Sequence, residues 1–456
     1  MLTALSRALV LAQAALAACA LDVDVEKYGA VADGRTFSGT GVNAAIAAVA
    51  AAGGRTVHMR GGGTYVTGGI ELRSHVALDI AQNSSVRGSS MPEHWTRTDA
   101  DLTIPPECDG PNAMMPGNSS FPRIISPGPR GGLFWANLAK NFTIRGGPPD
   151  TPLGSGAVVD GAGQWFNHDF GNRSNMFTFV QCEDVTVSDL TVRNSSAWTL
   201  VPIFSTRVRF IRLHISGEAA HHSNTDGFDP LGSEDASFED SLYEGPGDDC
   251  VAIKSGVQVN WTIPYYNLCR RPSRRIYVNN VTCIAAHGIT IGSEVSGGVE
   301  DVLITNSRLL NSPGNGVAMV KIKNECGRGG FVRNVHYENL TGSNMGQGVY
   351  ASRYGTPLSV SSCNDTGTIR ITNITAKNIY VGDAVYSAFE VGGYRSPAAQ
   401  QQIVDLTLEN FTVEEARALG SCENADVRLV GAVSAKVGGR LTSFPACTNS
   451  SDEFLK

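Results

Sequence analysis

Two groups of acidic residues have the types and spacing needed for acid–base chemistry. Asp226 ends an Asn-Thr-Asp segment that begins at Asn224, and the adjacent pair Asp248 and Asp249 follows in a Gly-Asp-Asp segment. Closely packed carboxyl groups raise one another's pKa, so one can stay protonated as an acid while another acts as a base. Hydrolysis of a glycosidic bond requires such a pair of carboxyl groups.

Basic side chains follow these carboxyl groups along the chain. His287 lies in an Ala-His-Gly segment, and Lys321 and Lys323 flank a single isoleucine. A histidine could share a proton with one of the carboxyl groups, because its pKa lies close to neutral pH. The lysines could supply positive charge for an anionic substrate.

Each segment also has an ordinary structural interpretation. Acidic pairs commonly cap turns, a histidine beside glycine commonly lies in a turn, and Lys-Ile-Lys is typical of a strand with its lysines in solvent. Adjacent strand residues point to opposite faces, so Asp248 and Asp249 can reach one cleft only at a bend or bulge. An acidic cluster could bind calcium, although the sequence contains no EF-hand loop.

The elements that must position these residues are predicted to be short strands. From about Thr56 onward, β-branched runs alternate with Gly, Asn, Asp and Ser, which is typical of many strands joined by turns. Around the acidic groups the runs start at nearly even intervals, near Phe177, Leu200, Gly227, Cys250, Gly288 and Val317. This period predicts a solenoid, with an insertion in the longer interval after Cys250, whereas a propeller would need longer and more uniform units.

We therefore expect an all-β chain that forms a parallel β-helix, with one domain over residues 21–456. The separation of Asp226 from Asp248 is close to the length of one coil. Neighbouring coils lie about 4.8 Å apart, so Asp226 and the Asp248–Asp249 pair can share one patch of surface. An apolar face formed by Val42, Ile46 and Val49 predicts one helix, which ends before Gly53 and covers the first coil.

The N-terminus predicts export from the cell. An apolar run follows Arg7 and ends in a small-residue cleavage site, so residues 1–20 are expected to be a signal peptide. Ten cysteines without zinc-like spacing favour disulfides, and an odd number remains once Cys19 is removed. Twelve Asn-x-Ser/Thr sequons favour a glycosylated surface, although turns and strands produce some by chance. They begin at Asn83, Asn118, Asn141, Asn172, Asn194, Asn260, Asn280, Asn339, Asn364, Asn373, Asn410 and Asn449.

Together, and in this order, the four segments resemble the signature blocks of glycoside hydrolase family 28, the polygalacturonases and their relatives. The family pattern is Asn-Thr-Asp, Gly-Asp-Asp, Gly-His-Gly and Arg-Ile-Lys. Segments at 28–34, 160–165 and 194–200 are also similar, so the resemblance covers nearly all of residues 23–450. It implies a right-handed parallel β-helix, hydrolysis of pectic chains with inversion, and no metal or other cofactor.

The resemblance also implies a role for each matching residue. Asp248 corresponds to the general acid, Asp226 and Asp249 to the groups that activate water, and His287 to the residue that maintains the acid's protonation. Lys321 and Lys323, with Asn224, correspond to substrate-binding positions. It further implies two disulfides, Cys250–Cys283 and Cys422–Cys447.

Two departures from the family pattern concern the substrate. Ala286 replaces the first glycine of Gly-His-Gly, and Lys321 replaces an arginine, which loses the fork that binds carboxylates in a bidentate manner. The insertion at 256–275 could close one end of the groove and make the enzyme exo-acting, or it could be an exposed loop.

Several alternatives remain open at this point. A rhamnogalacturonan or xylogalacturonan hydrolase of the same family, a pectate lyase, and a non-catalytic polysaccharide-binding β-helix are each compatible with a solenoid. The formal charge of −7 argues against a general nucleic-acid partner, and no later segment is apolar enough to span a membrane. We expect a secreted monomer whose partner is a pectic polysaccharide.

Overall fold

The computed structural model of the protein describes residues 21–95, 132–165, 173–217, 223–245, 247–256, 271–314, 316–324, 330–353, 369–393 and 402–448. The expected signal peptide and residues 257–270 of the expected insertion lie outside these ranges. So do the sequons at Asn118, Asn172, Asn260, Asn364 and Asn449.

Strands dominate the described chain, which also contains one α-helix, α1 (Gly39–Ala51), and short 3-10 turns at Val25–Tyr28, Pro92–His94 and Gly163–Trp165. The strands are β1 Leu21–Asp24, β2 Asp33–Phe37, β3 Arg55–Met59, β4 Thr64–Thr67, β5 Ile70–Glu71, β6 Val76–Ile80, β7 Ser85–Gly88, β8 Gly132–Asn137, β9 Lys140–Arg145, β10 Ala157–Asp160, β11 Asn175–Val180, β12 Glu183–Arg193, β13 Leu200–Ile203, β14 Thr206–Ser216, β15 Glu234–Glu244, β16 Val251–Ser255, β17 Ser273–Ile284, β18 Gly288–Val295, β19 Val299–Thr305, β20 Arg308–Ser312, β21 Ala318–Asn324, β22 Phe331–Arg353, β23 Arg370–Gly392, β24 Ile403–Glu423, β25 Ala425–Val437 and β26 Arg440–Ser443.

These strands stack in parallel as three rows, so the predicted right-handed parallel β-helix is confirmed. Each complete coil contributes to the first, second and third row in turn; in β22, for example, residues 331–338, 340–345 and 347–353 do so. Among the described strands, only β25 and β26 pair in an antiparallel manner. The long strands β12, β14, β15 and β17 each bend from the first row into the second.

The register between coils confirms the predicted period. Phe177, Leu200, Phe228 and Val251 are partners in successive coils of the third row, within one residue of the starts that the sequence pattern predicts. Val251 then pairs with Ile289, and the long coil between these two residues contains the expected insertion.

Inward-facing side chains of neighbouring coils stack into one core. Phe210 lies within 5.8 Å of Phe228 and 6.1 Å of Phe179, measured between ring centroids, and Phe228 lies 5.7 Å from Phe238. All four rings are fully buried. A coil alone would leave one face of this column in water, so each coil depends on its neighbours for burial.

Helix α1 covers the first coil, as the sequence predicts. Val42, Ile46 and Val49 are fully buried. The chain turns back after the helix through Gly53 and Gly54, whose φ angles are +93° and +95°. A side chain at Gly54 would collide with the carbonyl oxygen of His75, which lies 2.2 Å from the position of a Cβ atom.

The bend between the first and second rows contains a column of left-handed residues, which we call the asparagine ladder. Its members, in successive coils, are Asp240, Asn280, Asn306, Asn339, Asn378 and Asn410. Asparagine and aspartate tolerate this conformation better than other non-glycine residues. Their side chains also bond from coil to coil, as between Asn378 Nδ2 and Asn339 Oδ1 at 3.1 Å.

Both disulfides implied by the family resemblance are present. Cys250–Cys283 joins two coils, with a Cα–Cα distance of 5.9 Å, and Cys422–Cys447 closes the C-terminal end. Among the cysteines that the structure describes, Cys182 is a free, buried thiol. No helix of the described chain is long and apolar enough to cross a membrane.

The aromatic column yields a prediction for stability. Replacement of Phe210 by alanine leaves a cavity between Phe179 and Phe228, so we expect a loss of about 3–5 kcal/mol in the free energy of unfolding. Denaturant unfolding of the full chain measures this loss. Leu441→Ala is the control, because Leu441 is 73% exposed and should change the midpoint little. Equal midpoints for the two variants would contradict the stacked core.

Candidate active site

The sequence-predicted site residues converge at the bend between the second and third rows. Asp226 precedes the third-row residue Phe228, the Asp248–Asp249 pair precedes β16, and His287 immediately precedes β18. The three aspartates offer carboxylate oxygens that all lie within 4.8 Å of one another. Because the same bend recurs in successive coils, residues that are far apart in the sequence lie on one line.

The bend also explains how the adjacent pair Asp248 and Asp249 serves one site. Neither residue lies in a strand, since β16 begins at Val251. The backbone N–H of His287 donates to the carbonyl oxygen of Asp248 at 2.9 Å, and that of Gly227 donates to the carbonyl oxygen of Asp249, also at 2.9 Å. These bonds connect the backbone of the pair to both neighbouring coils, and the carboxylates of both residues lie in the cluster.

Asp249 is the member of the cluster whose ionised form is most strongly favoured. Burial opposes its ionisation, but Lys321 Nζ at 3.0 Å and Lys323 Nζ at 2.7 Å, together with a hydrogen bond from Thr290 at 2.7 Å, hold the pKa of Asp249 well below its usual range. Its side chain is inaccessible to solvent. Asp249 is therefore an anion whose oxygens are already engaged by donors.

Asp248 is the member that faces solvent. Its side chain is 16% exposed and lies 3.3 Å from Nδ1 of His287, which is 49% exposed. Burial raises the pKa of Asp248, but the hydrogen bond with His287 and nearby lysine charge bring it below the usual value. The same hydrogen bond raises the pKa of His287. The pair therefore favours a charged imidazolium beside a carboxylate.

Asp226 is the member that retains a proton. Burial raises its pKa to about 6; Lys254 opposes this rise, and the negative charges of Asp248 and Asp249 add to it. The resemblance assigns the acid role to Asp248, yet in the free protein the raised pKa belongs to Asp226. The cluster thus contains one carboxyl group that is protonated in mild acid and two that are ionised.

The expected substrate-binding residues contact the cluster itself. Lys321 and Lys323 are 2% and 8% exposed, and both bind Asp249. Lys321 Nζ also donates to the carbonyl oxygen of His287 at 3.0 Å. Asn224 donates to Asp248 Oδ2 at 3.3 Å. These side chains orient and neutralise the carboxylates, a function that the sequence patterns did not indicate.

Sequence reasoning missed a second buried ion cluster beneath the first. Lys254 Nζ lies 3.1 Å from Asp226 Oδ2, 2.7 Å from Asp229 Oδ1 and 4.0 Å from the ring centre of Trp198. Burial raises the pKa of Asp229 well above its usual value. One feature of the sequence could have indicated this cluster: a lysine ends the otherwise apolar run Val-Ala-Ile-Lys, shortly after Asp249.

The three aspartates have a spacing that a cation could bridge. Ammonium groups already fill this role: Lys254 binds Asp226, and Lys321 and Lys323 bind Asp249. The donor set therefore combines carboxylates with their own protein counter-charges, an arrangement suited to proton transfer.

Comparison with known proteins identifies the family of the chain. The sequence model of glycosyl hydrolases family 28 matches residues 143–432, which include every residue of the cluster, and the chain belongs to this family. It is 26% identical over 329 residues to a probable polygalacturonase of Vitis vinifera, and 26% identical over 305 residues to an exopolygalacturonase of Cochliobolus carbonum. These alignments cover 70% and 61% of the chain, and they span 60% and 64% of the two relatives.

Solved structures share the fold. An exopolygalacturonase from Thermotoga maritima matches with a TM-score of 0.72 and 20% identity, covering 92% of this chain and 93% of that one. A polygalacturonase from Erwinia carotovora matches with a TM-score of 0.62 and 16% identity, covering 87% and 95% of the two chains.

The buried lysine cluster yields a second prediction. Lys254→Met removes the cation between Asp226 and Asp229, and breaking a buried pair typically costs about 3–5 kcal/mol because a charge stays buried without a partner. The control is Lys377→Met, which removes a lysine from the exposed pair with Glu409 and should change stability little. Unfolding curves for both variants measure the difference. A Lys254→Met protein as stable as the control would show that Lys254 carries no structural charge.

Proposed function

We propose that the protein is a secreted hydrolase that cleaves the α-1,4-galacturonosyl linkages of pectic chains. The observation that carries this proposal is the cluster of Asp226, Asp248 and Asp249, in which one carboxyl group holds a proton while another is kept ionised. That division of charge is what acid–base hydrolysis of a glycoside requires. Membership of family 28 and relatives named as polygalacturonases support the substrate class.

In the proposed reaction Asp248 protonates the glycosidic oxygen, because it is the member of the cluster that a substrate can reach. A water molecule attacks the anomeric carbon from the opposite side, the bond to the leaving oxygen breaks, and Asp249 accepts the proton of the water while Asp226 keeps its own. Binding of an anionic sugar beside Asp248 disfavours its ionised form and so raises its pKa. Charged His287 supplies the proton through its hydrogen bond to Asp248.

We propose inversion because other side chains already bind the carboxylate oxygens of Asp249. The cluster is tighter than the roughly 6.5–9.5 Å separation common in inverting glycosidases, so distance alone does not favour this outcome. However, Thr290 and two lysines bind the oxygens of Asp249, which makes it a poor nucleophile and a better orienting base. Time-resolved proton NMR of the first product decides: a β-anomer is expected, and an α-anomer would contradict inversion.

The acid role predicts the effect of a single substitution. Asp248→Asn removes the transferable proton, so kcat on polygalacturonate should fall by about 10²–10⁴-fold, as is typical for loss of a general acid. Asp240→Asn is the matched control, since Asp240 is exposed in the asparagine ladder and its replacement keeps an acceptor for Asn280. Circular dichroism verifies that both variants fold. Equal activity of Asp248→Asn and wild type would refute the assignment.

The protonated groups predict the pH dependence. Asp226, with a pKa of about 6, and His287, with a raised pKa, both lose their protons as pH rises. Asp249 stays ionised far into the acid range. The rate constant kcat/KM should therefore be high in acid and decline as pH rises above about 6. A profile that instead rises between mildly acidic and mildly alkaline pH would contradict this distribution of protons.

We extend the proposal to exo action. It is supported by relatives named exopolygalacturonase and by residues 257–270, which lie in the sequence between two segments of the cluster. The expected insertion is shorter at its end than 256–275, because residues 273–275 belong to β17. Chromatography of early digestion products tests it, since an exo-acting enzyme releases monomer or one small oligomer from the start. Mixed oligomers at early times would exclude exo action and leave the hydrolase proposal intact.

The proposed secretion rests on independent features. Two disulfides favour an oxidising compartment, and the apolar N-terminus with its small-residue cleavage site favours export. N-terminal sequencing of protein recovered from culture medium tests it, with a start near residue 21 expected.

A further inference from the structure

Three of the sequons coincide with the asparagine ladder in a regular way. Asn280, Asn339 and Asn410 each begin an Asn-x-Thr sequence and occupy every second rung. The rungs between them, Asn306 and Asn378, are not followed by Ser or Thr at the required position. All five side chains are exposed and left-handed, with φ angles between 50° and 54°.

The ladder directs the amide of each sequon asparagine along the stack. Asn339 Nδ2 donates to Asn306 Oδ1 at 3.4 Å in the preceding coil, and its Oδ1 accepts from Asn378 Nδ2 at 3.1 Å in the following coil. In Asn410, Nδ2 likewise donates to Asn378 at 3.2 Å, while Oδ1 accepts from the backbone N–H of Ala432 at 3.4 Å. In Asn339 and Asn410 the C=O and the ladder N–H therefore point in opposite directions. Asn280 Nδ2 likewise donates to the preceding rung, Asp240 Oδ1, at 2.8 Å, whereas Asn306 Nδ2 donates to Asn279 Oδ1 at 2.9 Å.

This arrangement leaves the second N–H of each Nδ2 as a position for substitution. A side-chain amide nitrogen has two hydrogens, and the ladder uses the one that lies trans to the oxygen. A substituted amide prefers the trans geometry of a peptide bond, with its remaining N–H opposite to its C=O. A sugar attached to Nδ2 would therefore replace the unused hydrogen and keep the ladder hydrogen bond.

We propose that Asn280, Asn339 and Asn410 carry a row of N-linked glycans along this bend of the β-helix. In the modification, Nδ2 bonds to the anomeric carbon of a lipid-diphosphate-linked oligosaccharide; the bond from that carbon to the diphosphate breaks, and Nδ2 loses one proton. Two strand spacings separate neighbouring sites by about 10 Å, so adjacent glycans have room that consecutive rungs would not provide. The inference rests on the secretion part of the proposed function, not on its chemistry.

The position of the row keeps it away from the active-site cluster. The ladder lies at the bend between the first and second rows, whereas the cluster lies at the bend between the second and third rows. Within one coil the second-row residues 281–284 separate Asn280 from the bend that contains His287. Glycans on the ladder would therefore coat one side of the β-helix and leave the cleft open to a polymer.

The same reasoning excludes one sequon of the described chain. Asn194 is only 9% exposed, and its Nδ2 donates to Asp160 Oδ1 at 3.1 Å. The backbone carbonyl oxygen of Asn194 lies 2.6 Å from the position that a Cβ atom on Gly161 would occupy, which indicates close packing around this residue. A glycan needs a side chain that reaches solvent, so the folded protein is expected to have the buried Asn194 unmodified.

Peptide mapping tests the proposal. The full chain is secreted from a eukaryotic host behind that host's own leader, then treated with peptide N-glycosidase in H₂¹⁸O, which converts each glycosylated asparagine to ¹⁸O-labelled aspartate. Label at Asn280, Asn339 and Asn410 with none at Asn194 is expected. Recovery of the three ladder peptides unmodified would overturn the proposal, and label at Asn194 would overturn the burial argument. Neither result depends on whether the protein hydrolyses pectin.

Threonine variants separate the glycan from the ladder. Thr282→Ala, Thr341→Ala and Thr412→Ala together destroy the three sequons but keep every ladder asparagine. The secreted triple variant should lose the mass of three glycans. An unchanged glycan mass would overturn the proposal directly. Asn378→Ala is the complementary control, because it breaks two ladder hydrogen bonds and should lower the melting temperature while all three glycans remain.

Discussion

The whole molecule depends on backbone pairing between successive coils. Parallel strands in fixed register place each residue of one coil about 4.8 Å from its partner in the next, whatever the sequence distance between them. That constraint lines up Phe177, Leu200, Phe228 and Val251, and it equally lines up the bends that contain the acidic residues. The core, the asparagine ladder and the active-site cluster are three columns produced by the same register.

A column of acidic residues at one bend creates an electrostatic problem, which buried lysines solve. Asp226, Asp229 and Asp249 lie beneath the surface, and carboxylates without partners there would be costly to ionise. Lys254 binds the first two, while Lys321 and Lys323 bind Asp249. The lysines do not neutralise the carboxylates evenly. Asp249 receives two cations and stays ionised, while Asp226 shares one and keeps its proton in mild acid.

Patterns on the sequence predicted most of the fold because they arise from local rules repeated many times. The period of the strand-like runs, the apolar face of helix α1 and the insertion in the long coil after Cys250 all follow from chain-local preferences. The identity of the site residues came from four ordered segments resembling a known family. By contrast, the partnership of Lys254 with Asp226 and Asp229 has no local signature, since a lysine after an apolar run is typical of many strand ends.

Charge states and modification sites show where sequence reasoning stops. The family resemblance implied that Lys321 and Lys323 bind substrate and that Asp248 holds the acid proton. In the structure both lysines bind Asp249, and the raised pKa belongs to Asp226. Likewise, Asn194 and Asn339 are equivalent sequons in the sequence, whereas in the structure Asn194 is buried and Asn339 is exposed. By itself the sequence determined the repeat, the family and the set of reactive residues, because these depend on residue type and spacing. Only the tertiary structure decided which carboxyl group keeps a proton and which asparagine faces solvent, because burial and the position of a counter-charge are properties of residues brought together from different coils.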